Sequence, residues 1–164
     1  MILPDVLGSN LDIVFCGTAP GDQSAIRQAY YAGPGNQFYT TLYTCGLISR
    51  QLLPHEYREL LMNRIGLTDI AKKVHGNDDK LRSEDFDVEG LRKKIQTYSP
   101  KLVCFNGKKA ASVYFGIRDT KRIAYGLQSP SVGRSRLYVV PSTSGSARGA
   151  WDIEWWHDLK NYIK

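Results

Sequence analysis

The residues able to do chemistry gather in four turns. Gly17-Thr18-Ala19-Pro20-Gly21-Asp22 carries a hydroxyl and a carboxylate, Thr68-Asp69 a second such pair, and Asn106-Gly107 a side-chain amide. The fourth, Ser142-Thr143-Ser144-Gly145-Ser146-Ala147-Arg148, is a run of hydroxyls and small residues closed by a guanidinium. Just past the first turn, Tyr30-Tyr31-Ala32-Gly33-Pro34-Gly35-Asn36-Gln37-Phe38-Tyr39 sets aromatic rings among Gly and Pro. Such a set reads as a built pocket for a ligand; a strand followed by an untidy surface loop is the plainer alternative.

Several familiar chemistries have no footing. Cys16, Cys45 and Cys104 stand far apart, with no C-x-x-C pair and no His at ligand spacing, which argues against a zinc or iron–sulfur site. The odd count fits a reducing cytosol, and Cys16 and Cys104 end apolar runs, as buried structural thiols do. His55, His75 and His157 fall in helical or loop segments away from the four turns, as surface or packing histidines, so a Ser–His triad has no anchor. A phosphate-cradling G-x-x-x-x-G-K-[ST], a dinucleotide G-x-G-x-x-G after the first strand and a G-x-S-x-G elbow are all absent.

The turns need strands to hold them. Asp12–Cys16, Ile65–Ile70, Lys101–Asn106 and Arg136–Val140 are short, bounded apolar runs of the kind that form buried strands. Helical spacing covers Gln37 to Ile48, Pro54 to Met62 with Pro at its first position, Asp87 to Tyr98, the stretch after Asn106-Gly107 through Phe115, and Trp151 to Ile163. Lys72 to Asp87 reads as a charged loop, and Gly116 to Gly133 as irregular and basic. Strands alternating with helices predict an α/β three-layer sandwich: a four-stranded, mostly parallel, twisted sheet covered on both faces. In such a sheet the four turns share the carboxyl edge, where ligands bind, and line one cleft.

At 164 residues the chain reads as a single domain, expected to be monomeric. No run approaches the ~20 apolar residues of a membrane span, and Met1-Ile2-Leu3-Pro4-Asp5 lacks the pattern of a signal peptide, so a cytoplasmic protein is expected. The formal charge of +6 favours a polyanionic partner. Arg118, Lys121, Arg122, Arg134, Arg136 and Arg148, interleaved with Tyr125, Tyr138 and Trp151, concentrate that charge in the last third. A basic surface studded with aromatics matches a nucleic-acid footprint, and equally a solvated face.

Here the residues carry a resemblance. "VFCGTAPG" followed by "SA…YYAGPGNQFY" resembles the first motif of the uracil-DNA glycosylase superfamily, nearest its mismatch-specific uracil/thymine branch. "PSTSGSAR" is similar to that branch's second motif, and "GLTDI" and "FNGKKA" follow the family order. The resemblance implies a monofunctional enzyme that hydrolyses the N-glycosidic bond of uracil in single- or double-stranded DNA, without metal or cofactor. By the same resemblance Tyr31 stacks on an extruded base, Phe38 is a second pocket aromatic beside Gly17 and Ala19, with core filling the plainer alternative for Phe38 or Tyr39, and Asn36 holds the loop or touches the ligand. Ser144, Gly145, Ser146 and Arg148 brace the duplex, with Lys108 facing phosphate.

The chain departs from that pattern at three positions. Ala19 stands where most branches place an Asp or Asn that positions water, which leaves Thr18, Asp22, Ser142 or Asp69 to hold it. Asp69 stands where relatives use Asn to read the base edge; it is protonated there, or serves the water, or meets another base. Ser146 occupies a wedge position usually filled by an apolar side chain, so plugging of the vacated stack should be weak. The alternatives are a glycosylase for hypoxanthine or another lesion, and a catalytically weak binder of uracil-containing or abasic DNA.

Overall fold

The computed structural model describes residues 1–164, and its centre is the apolar run read above as the first strand. Strand β1 (Ile13–Gly17) is buried along its whole length, as a strand covered on both faces must be. It pairs in parallel with β2 (Ile65–Asp69) on one side and β3 (Leu102–Asn106) on the other. The sheet continues from β3 through β5 (Ser135–Val140), also parallel, to an antiparallel edge strand, β4 (Gly126–Val132), giving the order β2-β1-β3-β5-β4.

The expected four strands are therefore five. The additional one, β4, lies inside the segment read as irregular, and its sequence explains the miss. Gly126-Leu127-Gln128-Ser129-Pro130-Ser131-Val132 is polar and mostly exposed, with its pairing interrupted between Leu127 and Ser131. Pro130, which has no N–H to donate, is tolerated at such an edge irregularity.

Alternating side chains divide the core into two layers. Ile13, Phe15, Cys104 and Tyr138 face a larger cluster with Tyr30, Phe38, Tyr57 and Trp156. Cys16, Val103, Phe105 and Val139 face a smaller one with Leu91, Ile95 and Ala111. The larger layer is covered by the Ala29–Ala32 segment that follows α1 (Asp22–Arg27), by α2 (Phe38–Thr44), by a 3-10 helix at Pro54–Asn63 and by the carboxyl-terminal segment. The smaller is covered by α3 (Val88–Tyr98) and α4 (Lys108–Phe115).

Helix ends follow local chemistry. The Asp87 carboxylate accepts the Gly90 N–H at 2.9 Å and starts α3, and Ser99, in the left-handed region ahead of Pro100, ends it. Three helices are shorter or tighter than the spacing predicts. Gln37–Ile48 is helical only over α2, Pro54–Met62 winds as a 3-10 helix, and Trp151–Ile163 resolves into α5 (Glu154–Asp158) and a 3-10 turn. The charged loop Lys72–Asp87 contains two 3-10 turns, Asp78–Lys80 and Ser83–Asp85. No helix is long and apolar enough to cross a membrane.

Candidate active site

From β1 the chain crosses to β2 on one side, and from β3 it proceeds to β5 on the other, so strand order reverses between β1 and β3. A crevice opens at the carboxyl ends there. It is a cleft of about 860 Å³. Gly17, Thr18, Ala19, Asp22 and Asp69 line one side, Tyr31 and Asn36 come from the aromatic loop, and Lys108, Ser142, Ser144, Gly145 and Ser146 face them. The four turns converge as the strand reading requires.

The floor is built by sheet register. Gly17 stands opposite Asp69, and the Ile70 N–H donates to the Gly17 carbonyl at 3.0 Å, so pairing continues past the strand ends. A glycine is required here: a Cβ at position 17 would lie 2.8 Å from Asp69 Oδ1 and 3.3 Å from the Tyr31 hydroxyl. Asp69 is only 4% exposed, and its Oδ2 has no hydrogen-bond partner. Burial raises its pKa to about 7, with Asp5 adding to the rise and Lys72 and Lys94 opposing it.

Behind this carboxyl group lies a small ionic network. Asp5 pairs with Lys72 at 2.8 Å and Lys94 at 2.7 Å and accepts the Thr68 hydroxyl at 2.7 Å. Burial pushes the Asp5 pKa up, but the bonds from Lys72, Lys94 and Thr68 outweigh it and hold this carboxylate below its usual range. Two neighbouring acids thus sit in opposite regimes: Asp5 is paired and ionised, and Asp69 is unpaired and poised near neutrality.

Tyr31 closes the floor from the other side. It adopts φ 54, a left-handed conformation uncommon for a bulky residue. Its hydroxyl is buried without a partner; Asn106 lies nearby, but no well-formed hydrogen bond joins them. Burial, with the charge of Asp69, raises the phenol's pKa. Its partly exposed ring lines the cleft and rests on Phe38, the centroids 4.1 Å apart and the planes tilted by 32°.

Phe38 corrects an expectation. It is wholly buried between Phe15, Tyr39 and Trp156 and does not reach the cleft, so it backs Tyr31 instead of touching a ligand. Asn36 holds the loop: its Oδ1 accepts the Phe38 N–H at 3.0 Å at the start of α2.

The opposite wall is the Ser142–Arg148 loop, entered at buried Pro141, whose carbonyl accepts the Trp156 indole N–H at 3.1 Å. Ser142 Oγ accepts the Ser144 N–H at 3.1 Å, and the Ser144 and Ser146 hydroxyls bond each other at 2.9 Å. A Cβ on Gly145 would lie 3.2 Å from the Pro34 carbonyl, so the two loops meet backbone to backbone. Arg148 is exposed at the rim, outside the cleft lining, with one long bond of 3.4 Å to the Gly35 carbonyl. Lys108 sits with its ammonium 4.4 Å from the Tyr125 ring centroid.

Two pieces of the site lie outside the residues picked from the sequence. Asn106 and buried Thr143 exchange two hydrogen bonds, of 3.0 and 3.1 Å, and the Thr143 carbonyl accepts the Gln37 N–H at 2.9 Å. That pair fastens the end of β3 to both loops; its sequence signals are the two polar turns that hold its members, Asn106-Gly107 and Ser142–Arg148. The second is the segment His75–Asp79. His75 Nδ1 lies 2.9 Å from Asp22, the Gly76 N–H donates to the Pro20 carbonyl at 2.9 Å, and the Thr18 hydroxyl donates to Asp78 at 2.6 Å. In sequence it was a charge run with no periodicity.

An α/β fold whose strand-order reversal holds a cleft between a glycine-rich first turn and a serine-rich last one is built to take a ligand at the carboxyl ends of its strands. A family model described as "Uracil DNA glycosylase superfamily" matches residues 4–160, and the chain belongs to that superfamily. It is similar in structure to the solution NMR structure of a "putative Uracil DNA glycosylase from Methanosarcina acetivorans", with a TM-score of 0.67 and 27% identity over 99% of this chain and 97% of that one. Membership supports a DNA glycosylase, a hydrolase acting on DNA in its repair.

Proposed function

We propose that the protein is a monofunctional glycosylase that excises uracil from DNA and leaves an abasic site. The observation carrying this reading is the unpartnered pair of buried polar groups at the cleft floor, Asp69 Oδ2 and the Tyr31 hydroxyl, beneath a partly exposed aromatic ring. Buried polar atoms without partners are costly, and a ligand that supplies the partners recovers that cost.

Uracil fits the set. In its neutral form the Asp69 carboxyl offers one O–H donor and one carbonyl acceptor, the pair an amide would present, and these suit uracil O4 and N3–H together. A carboxylate would only accept and would repel O4. With a pKa raised to about 7, the neutral form is present at and below neutral pH. An extruded base stacks on Tyr31, and base–aromatic stacking worth about 1–3 kcal/mol offsets part of the cost of leaving the duplex. The glycosidic bond then breaks with its electron pair on the base, the sugar passes through an oxocarbenium-like cation, and water closes on C1′.

The test is release of base from end-labelled oligonucleotides carrying uracil, hypoxanthine or thymine, as duplexes and single strands, followed by alkali. Strand cleavage with uracil is expected. Cleavage with hypoxanthine alone moves the assignment to a lesion glycosylase. Tight binding with no release of any base makes the protein a reader of damaged DNA.

A further inference from the structure

The reaction above needs a water held against the sugar, and the first turn has few groups that could hold it. Along Gly17–Asp22, Ala19 offers only a methyl group, and the Asp22 carboxylate is half exposed and turned to His75. Among the other cleft groups, Asn106 spends its amide on Thr143, and Ser142 Oγ accepts from Ser144. Thr18 is the one side-chain hydroxyl of the first turn.

The direction of the Thr18 hydrogen bond decides what it can do. Its proton points to Asp78, at 2.6 Å across 60 positions of sequence. A hydroxyl whose hydrogen is committed to a carboxylate presents only lone pairs to anything else. Both Thr18 and Asp78 line the cleft. The backbone under Thr18 is fixed, because its carbonyl accepts the Ala71 N–H at 2.7 Å. The segment carrying Asp78 is fixed as well, by Gly76 on the Pro20 carbonyl and His75 on Asp22.

We infer that Thr18 and Asp78 form the water-holding pair, with Thr18 the residue that touches the water and Asp78 the positioning residue that acts through it. The inference rests on the glycosylase reading. The C1′–N bond breaks with its electrons leaving on the base, and the water oxygen forms the new C1′–O bond. The water proton passes to Thr18 Oγ as the Thr18 proton passes to the Asp78 carboxylate, so the threonine is regenerated and the proton rests on Asp78. Carboxylate function absent at position 19 is thereby supplied from a distant segment of the chain.

Single-turnover excision and oligonucleotide affinity, measured on the full chain with a uracil-containing strand, test this. Positioned acid–base help is worth roughly 10²–10⁴-fold, so Thr18→Val is expected to slow the chemical step about 100-fold and Asp78→Asn at least tenfold, with affinity changed less than twofold. Thr18→Ser, which keeps the hydroxyl, restores most of the rate. The double variant Thr18→Val/Asp78→Asn is no slower than Thr18→Val alone, as expected when one residue works through another. Asp78→Asn at the wild-type rate, or effects that multiply in the double variant, overturns the pairing while leaving a uracil-releasing wild type intact. A wild type that releases no base overturns the glycosylase reading and the pairing with it. Thermal melting of each variant separates loss of fold from loss of rate, since Asp78 is exposed and its replacement leaves the core untouched.

Discussion

The two walls of the cleft are built on opposite terms. At the floor, Asp69 and Tyr31 are buried with polar atoms left unpaired. In the Ser142–Arg148 wall the serines bond one another and the loop backbone, and Thr143 is pinned through Asn106. Unpaired buried groups await a ligand that completes them, whereas a self-satisfied loop of small residues presents a fixed shape. On the proposed function, that difference assigns recognition of a base to the Asp69–Tyr31 side and grip on a backbone to the Ser142–Arg148 side.

The most damaging change to that contrast is Asp69→Asn. Asp69 has an ordinary carboxylate pKa of 3.8 when unfolded and about 7 when folded. Between those values the native state holds a proton the unfolded chain has lost, so stability falls as pH rises from about 4 to about 7. The total is on the order of 4 kcal/mol. Melting temperatures across that window should decline in the wild type and lose most of the decline in Asp69→Asn. Excision by the wild type should fall as pH passes 7, and the variant should not follow; unchanged profiles would remove Asp69 from base reading.

Tyr31→Ala comes next. Losing a stacking partner worth about 1–3 kcal/mol should slow excision roughly 10–100-fold, read as single-turnover rates, while Phe38 loses the ring that rests on it. On the opposite wall, Arg148→Ala should leave the chemical step unchanged, weaken DNA binding a few-fold and reduce the log–log salt slope by about 1, the signature of one lost phosphate contact. The smallest effect belongs to Ser146→Leu. An apolar tip can fill a vacated stack where serine cannot, so duplex affinity should rise, by less than about threefold, with single-strand affinity unchanged. Arg148→Ala slowing chemistry more than Tyr31→Ala would reverse the assignment of the two walls.

The parts of the site legible in the sequence are those set by local pattern. Ile13-Val14-Phe15-Cys16 ending at Gly17 marks a buried strand and its turn, and the other parallel strands follow the same rule. Edge strand β4 hid because an edge need not alternate or be apolar. For Phe38 the resemblance points to the pocket and core filling is the alternative; an aromatic in a glycine-rich loop carries no local mark of which way it turns, and packing against Phe15 and Trp156 decides for the core. Asp78 lay furthest from view. An exposed acid in a charged run acquires meaning only when folding brings it to Thr18.

The continuation of pairing beyond the strand ends, Ile70 to Gly17 and Ala71 to Thr18, has a dynamic consequence. Amide protons at these two positions can exchange with solvent only when the central strands themselves separate, so they should be among the slowest in the molecule. The platform under the cleft therefore stays still for as long as the central strands remain paired.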